Sequence, residues 1–185
     1  MRHLKLLLCL SALALLLVGC GTANMVKLTY KPLSEGGSCS SSVNVIKFTD
    51  ARGTDELGVK SDGTYFYSAT PVGEWVSKGF FEELRKTGCA MSWSEQDFGT
   101  ETDYKMTGTI KELWLKEISM SEYQANMTVN VVLSRAGKKI YEENLYANVN
   151  KTVMPSGDSA ANIMQEALQD LVKASMPTLM KRMSN

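Results

Sequence analysis

Alternation of apolar and polar positions is clearest in the second half of the chain. Tyr104, Met106, Gly108 and Ile110, continued by Leu113 and Leu115, mark one strand; Tyr123, Ala125, Met127, Val129, Val131 and Leu133 mark a second; Tyr141, Leu145, Ala147 and Val149 mark a third. Arg135-Ala136-Gly137-Lys138 supplies the turn between the last two, and 118–122 a less defined turn before them. Such a meander has one apolar face, which another element must cover. The period changes to 3.6 residues after Asp158: Ile163, Met164, Ala167, Leu168, Leu171 and Val172 share one helical face, while Gln165, Glu166, Gln169, Asp170 and Lys173 share the other. Ser156, Asp158 or Ser159 can cap this helix, and Pro177 is expected to kink or restart it.

The first half is less regular. Val26, Leu28 and Tyr30 alternate with polar residues as a weak strand stopped by Pro32, and 34–42 is a Ser/Gly loop. Val43, Val45, Ile46 and Phe48 read as a buried strand, left through the turn Asp50-Ala51-Arg52-Gly53. The segment 54–69 is a long excursion or a small hairpin. Thr70 as N-cap and Pro71 as first helical residue predict a helix with Val72, Trp75, Val76, Phe80 and Leu84 on one face and Gly88 just past its end. Cys89, Met91 and Trp93 then mark a short strand. Two helices on one face of a mixed or antiparallel sheet make an α+β two-layer sandwich.

The first residues do not belong to that fold. Arg2 and Lys5 precede an apolar run from Leu6 to Val18, the layout of a secretory signal and too short to span a bilayer comfortably. Leu17-Val18-Gly19-Cys20 matches a bacterial lipobox, in which the cysteine is diacylated, the chain is cut before it and the new amine is acylated. Residues 1–19 are therefore expected to be cleaved, with a lipidated Cys20, tether and first strand over 20–42 and one α+β domain over 43–185. Several acyl chains make a stable anchor where a single myristoyl would not. Gly21, where an enterobacterial retention signal has Asp, favours the outer membrane with the domain facing the periplasm.

Composition then limits the chemistry. The 185 residues carry 20 basic and 20 acidic side chains, so there is no basic field to hold a nucleic acid. Loss of 1–19 removes Arg2, Lys5 and the only histidine, His3. Without imidazole, Ser-His and Cys-His nucleophiles and His-containing zinc sites are excluded, leaving carboxylate pairs, lysine bases or all-oxygen metal sites. Of four cysteines, Cys9 leaves with the signal and Cys20 carries lipid, so Cys39 and Cys89 remain, as a disulfide in an oxidising compartment or as two buried thiols. If the strands at 43–48 and 89–93 are parallel neighbours, both cysteines reach the same sheet edge.

The remaining constellations have bland readings as well as sharp ones. Asp50 and Arg52 can bind an anionic ligand, but a turn Asp paired with its Arg is simpler. Glu95, Asp97, Glu101 and Asp103 share a loop without the order of known calcium loops. Glu82-Glu83 and Glu142-Glu143 read as solvated edges, and the Asn126 and Asn150 sequons as chance. Met176, Met180 and Met183, at i, i+4 and i+7, form ordinary core or a flexible apolar stripe for a partner.

The lipobox at Cys20, the strand ending Phe48-Thr49-Asp50-Ala51-Arg52, the helix 72–84 running into Gly88, Gly108-Thr109-Ile110 and the long helix after Asp158 together resemble the YajG-type lipoproteins. More distantly they resemble the auxiliary lipoproteins of ABC-type lipid transporters. The resemblance implies an outer-membrane domain with no assigned reaction, cofactor or catalytic residue. The expectation is a non-enzymatic binding module for an unidentified envelope protein complex or transport system, without metal or cofactor. A small-ligand or lipid-binding protein and a carboxylate-dependent cell-wall hydrolase are the alternatives.

Overall fold

The structure, a computed structural model, describes residues 24–33, 36–99 and 101–184. The signal segment 1–19 and Cys20 lie outside the described residues. Among the described residues, nine strands form one open sheet: β1 (Met25–Val26), β2 (Ser42–Ile46), β3 (Thr49–Asp50), β4 (Glu56–Val59), β5 (Tyr65–Ser68), β6 (Ala90–Ser94), β7 (Tyr104–Ser119), β8 (Glu122–Arg135) and β9 (Lys138–Thr152). Helix α1 (Val72–Lys86) lies between β5 and β6, and α2 (Ser159–Met183) closes the chain.

The long strand β7 organises the sheet. One of its edges pairs antiparallel with β8 over its whole length, and β8 pairs in turn with β9. The turn between these last two has Ala136 and Gly137 both at positive φ, the geometry a two-residue hairpin needs. Along the other edge of β7 the chain runs parallel in three pieces, pairing Val43 with Tyr104, Thr49 with Thr109 and Gly58 with Leu115. Beyond them, β6 lies parallel to β2, while β5 pairs antiparallel with β4 and parallel with β1. Residues 54–69 are thus the hairpin of the two possibilities open in the sequence.

Both helices pack on the same face and touch each other. Their close approach is at Gly79, where an added Cβ would lie 2.8 Å from Leu168 Cδ2. Phe80 of α1 meets the ring of Phe48 at 5.5 Å, and the core continues through Met106, Ile110, Leu113, Val129, Leu133, Met164 and Leu168. Every fully buried polar side-chain atom among the described residues has a hydrogen-bond partner. The α+β sandwich read from the sequence is the observed architecture.

Four local expectations are corrected. Residues 27–33 are a strap across the helices rather than a strand, because their backbone oxygens are taken by helix side chains: Trp75 Nε1 donates to Thr29 O at 2.8 Å and Gln169 Nε2 to Lys31 O at 2.7 Å. Pro71, not Thr70, is the N-cap of α1, its carbonyl accepting from Trp75 N at 3.0 Å. Of the kink or restart expected at Pro177, the restart does not occur, and helix α2 is continuous through it. The carbonyl that loses its donor there belongs to exposed Lys173 and can be solvated, while buried Met176, Leu179 and Met183 hold the opposite side. Finally, Glu83 is buried at 2% exposure instead of lying on a solvated edge, since it falls three residues after Phe80 on the apolar face; its neighbour Glu82 stays outside, paired with Arg85.

Candidate functional site

Of the candidate residues of the sequence, Cys39, Cys89, Met176, Met180 and Met183 converge at one end of the helical layer, where the C-terminal ends of α1 and α2 meet the loop before β2. Cys39 and Cys89 form a disulfide there, with Cα atoms 4.6 Å apart. Its geometry follows from the parallel pairing of β2 with β6, in which Ser42 faces Ala90, so both cysteines lie just before paired strand starts. The loop leading to Cys39 is held tightly against the end of α1. Cys39 N donates to Thr87 O at 3.1 Å, and a Cβ at Gly88 would lie 2.8 Å from Gly37 O. Gly88 takes φ of +92°, as a residue past a helix end commonly does.

Between the two helix ends runs an open groove of about 420 Å³ lined by Leu33, Glu83, Thr87, Lys173, Met176, Pro177 and Met180. Glu83 builds one wall. Its carboxylate accepts from Tyr30 Oη at 2.9 Å and from Leu33 N at 3.1 and 3.2 Å, which fixes the end of the strap and holds Leu33, 45% exposed, over the groove. Burial, reinforced by the hydrogen bond to Glu83 and its charge, pushes the Tyr30 phenol far above its ordinary range, so the tyrosine stays a donor. On the far side of Met180 lies a second hollow of about 240 Å³ against Ser38, Cys39, Ser41 and Met183. Met180 is therefore a ridge between two hollows, its Sδ 3.7 Å from Thr87 Oγ1.

The three methionines divide. Met176 and Met183 are buried at 8% and 4% exposure, so the stripe is not an exposed one; Met180 is half-buried. Met183 is anchored further by its carbonyl, which accepts from Tyr104 Oη at 2.9 Å and Ser41 Oγ at 3.2 Å. Sequence reasoning missed Leu33, Glu83 and Thr87. Only Glu83 left a signal, a carboxylate in phase with Val76 and Phe80 on an otherwise apolar face.

The other constellations are spent on structure. Arg52 donates to both oxygens of Asp50 at 2.8–2.9 Å and to Glu56 O at 2.8 Å. Asp50 is pulled below its ordinary range because these bonds and the Arg52 charge outweigh burial, which acts the other way as the largest single cause. The pair borders a wide groove of about 510 Å³ at the start of α1 without an uncommitted guanidinium to offer an anion. Asp97 binds Lys105, and Asp103 accepts from the backbone and hydroxyl of Ser42, both at 2.8 Å. No group of three or more His, Cys, Asp or Glu among the described residues could hold a metal ion.

No family model matches the chain, and no curated protein matches it in sequence. Its fold does recur among solved structures. Protein XCC0632 from Xanthomonas campestris, of the DUF330 family, superposes with a TM-score of 0.62 at 12% identity, covering 85% of this chain and 95% of its own. An uncharacterised protein matches at 0.55 with 11% identity, covering 83% of this chain and 99% of its own. The hypothetical protein CT253 from Chlamydia trachomatis matches at 0.53 with 12% identity, covering 79% and 99%. At such identities the likeness is one of fold.

Proposed function

We propose that the chain is a lipid-anchored envelope lipoprotein of the YajG type, outer-membrane-bound and periplasm-facing, that works as a non-enzymatic accessory module by seating an apolar segment of an envelope protein in the groove at Met180. The observation that carries this reading is the groove itself, an open apolar trough with Leu33, Met176, Pro177 and Met180 inside and Glu83 and Lys173 at its borders. Methionines suit such a role because an unbranched thioether side chain adapts to varied apolar partners. The Leu17-Val18-Gly19-Cys20 sequence supports the anchor, and the disulfide supports export to an oxidising compartment. No helix among the described residues is long and apolar enough to cross a membrane.

The size of the groove also favours a second reading, in which it takes an acyl chain or another small apolar ligand. Two measurements test the proposal. Cys20→Ser should leave an uncleaved precursor that loses detergent-phase partitioning; carbonate-resistant outer-membrane recovery of that variant overturns the anchor. A photo-crosslinker at Leu33 should give a discrete protein adduct in cells that Met180→Gln diminishes, with none from a crosslinker at Glu122. A lipid-only adduct at Leu33 selects the second reading.

A further inference from the structure

Because both helices cover one face of the sheet, the other face of the β7–β8–β9 meander is open. The cross-strand registers set its rows: Trp114, Asn126 and Asn148 in one, Glu112, Thr128 and Tyr146 in the next, Thr109, Asn130 and Asn144 in the third. An ordinary solvated sheet face is charged. These three rows are mostly amide and hydroxyl, with Lys111 and Glu142 bonded to the third at Asn144 and Asn130, and Tyr146 stands out of them at 70% exposure. Around that ring is a shallow depression of about 360 Å³, whose polar lining is Glu112, Asn126, Thr128, Tyr146 and Asn148.

These side chains are held in place before any ligand arrives. Asn148 Nδ2 donates to Asn126 Oδ1 across the strands, and Thr128 Oγ1 donates to Glu112 Oε2 at 3.2 Å. An amide has two donor hydrogens and two acceptor lone pairs, so one such bond leaves capacity on both residues. Same-face positions recur at about 4.8 Å across strands and about 6.8 Å along them. The next row repeats the amide pair, with Asn130 Nδ2 donating to Asn144 Oδ1 at 3.1 Å, an oxygen that also accepts from Lys111 Nζ at 2.8 Å.

We propose that this face binds a neutral glycan chain, with a sugar ring stacked on Tyr146 and its hydroxyls hydrogen-bonded to Asn126, Asn148 and Glu112. A pyranose has an apolar C–H face that suits an aromatic ring, and neighbouring hydroxyls that each donate and accept, which suits an amide; a carboxylate takes two hydroxyl donors. Charge selects against the other polymers. The single charged residue in the depression is Glu112, which repels phosphate and uronate chains, and the amides are a poor match for an apolar helix. The repeated amide rows suit a chain of sugars better than a single one.

The experiment is titration of the soluble domain, lacking 1–20, with cellohexaose and chitohexaose, followed by side-chain amide signals of Asn126 and Asn148 and by Trp fluorescence. Binding in the millimolar range or tighter by at least one hexasaccharide is expected. Tyr146→Ala should weaken it by about tenfold or more, as loss of an exposed aromatic anchor does, with the melting temperature unchanged because the ring is exposed. Asn148→Ala should weaken it as well, and Met180→Gln on the opposite side should not. Absence of binding by both sugars, undiminished binding by Tyr146→Ala, tighter binding of a galacturonate hexamer, or self-association that Tyr146→Ala abolishes would each overturn the proposal.

Discussion

The Phe48 ring lies directly over Gly108, so that a Cβ on Gly108 would come within 2.5 Å of two ring carbons. Phe48 is itself buried against Phe80 and has no open side to turn toward. Gly108→Ala should therefore lower stability by about 1–3 kcal/mol through overpacking. Phe48→Leu, which removes the facing ring, should make the combined loss smaller than the sum of the single losses. Urea melts of the four proteins decide this; additive losses would mean that the ring is not what the added methyl meets.

A second prediction concerns the Cys39–Cys89 bond, which closes a loop with a sequence separation of 50. Loop-closure entropy for that length corresponds to about 4 kcal/mol, and measured values are commonly smaller. The unfolded, unreduced protein without 1–20 should show no free thiol. Cys39→Ala with Cys89→Ala should fall by about 2–4 kcal/mol, and segment 36–42 should exchange amide hydrogens faster, because Cys39 N is bonded to Thr87 O only while the loop is pinned. Two reactive thiols in the unreduced chain would contradict the structure.

Three tyrosines donate to glutamates: Tyr30 to Glu83, Tyr123 to Glu117 and Tyr141 to Glu143. Burial first, then the hydrogen bond and charge of the partner, raises all three, Tyr123 to about 12 and the others further. A folded value above the unfolded one means that the folded state holds the proton. The resulting stability is complete below the unfolded value near pH 10 and is lost as pH rises through the folded values. Urea midpoints should be level up to about pH 9 and decline above about pH 10. Tyr123→Phe should remove part of that decline. A midpoint flat to pH 12 would show that the phenol bonds are not held.

What the sequence disclosed depended on how local its cause was. The β7–β9 meander and α2 follow from alternation and 3.6-residue spacing alone, and Gly88 from the need for positive φ after α1. The strap did not, because Val26, Leu28 and Tyr30 alternate like a strand while the groups that hold it, Trp75 on Thr29 O, Glu83 on Tyr30 and Gln169 on Lys31 O, lie some 50 to 140 residues away. The division of β2, β3 and β4 along one edge of β7 is likewise a matter of pairing between distant segments. In the candidate site, the cysteine pair was legible since two thiols in a chain whose sequence reads as exported have few other uses. The groove beside it was not, for Leu33 and Thr87 carry no pattern of their own.

The spacing of Met176, Met180 and Met183 could not say which way each points, and the structure turns that ambiguity into a prediction. Met183 is buried beneath Tyr104 and the Ser41 loop, so Met183→Gln puts an amide into the core and should cost about 2–4 kcal/mol. Met180 stands between two hollows, half-open to solvent. Met180→Gln keeps the chain length and can turn its amide toward water, so it should cost under about 1 kcal/mol. The same change places a polar group on the ridge where an apolar guest would rest, and should reduce Leu33 crosslinking severalfold. Met180→Leu, which keeps the apolar ridge, should retain it. If Met180→Gln destabilises as much as Met183→Gln, the ridge is core and the groove has no independent role; if it leaves both stability and crosslinking intact, the guest does not contact Met180.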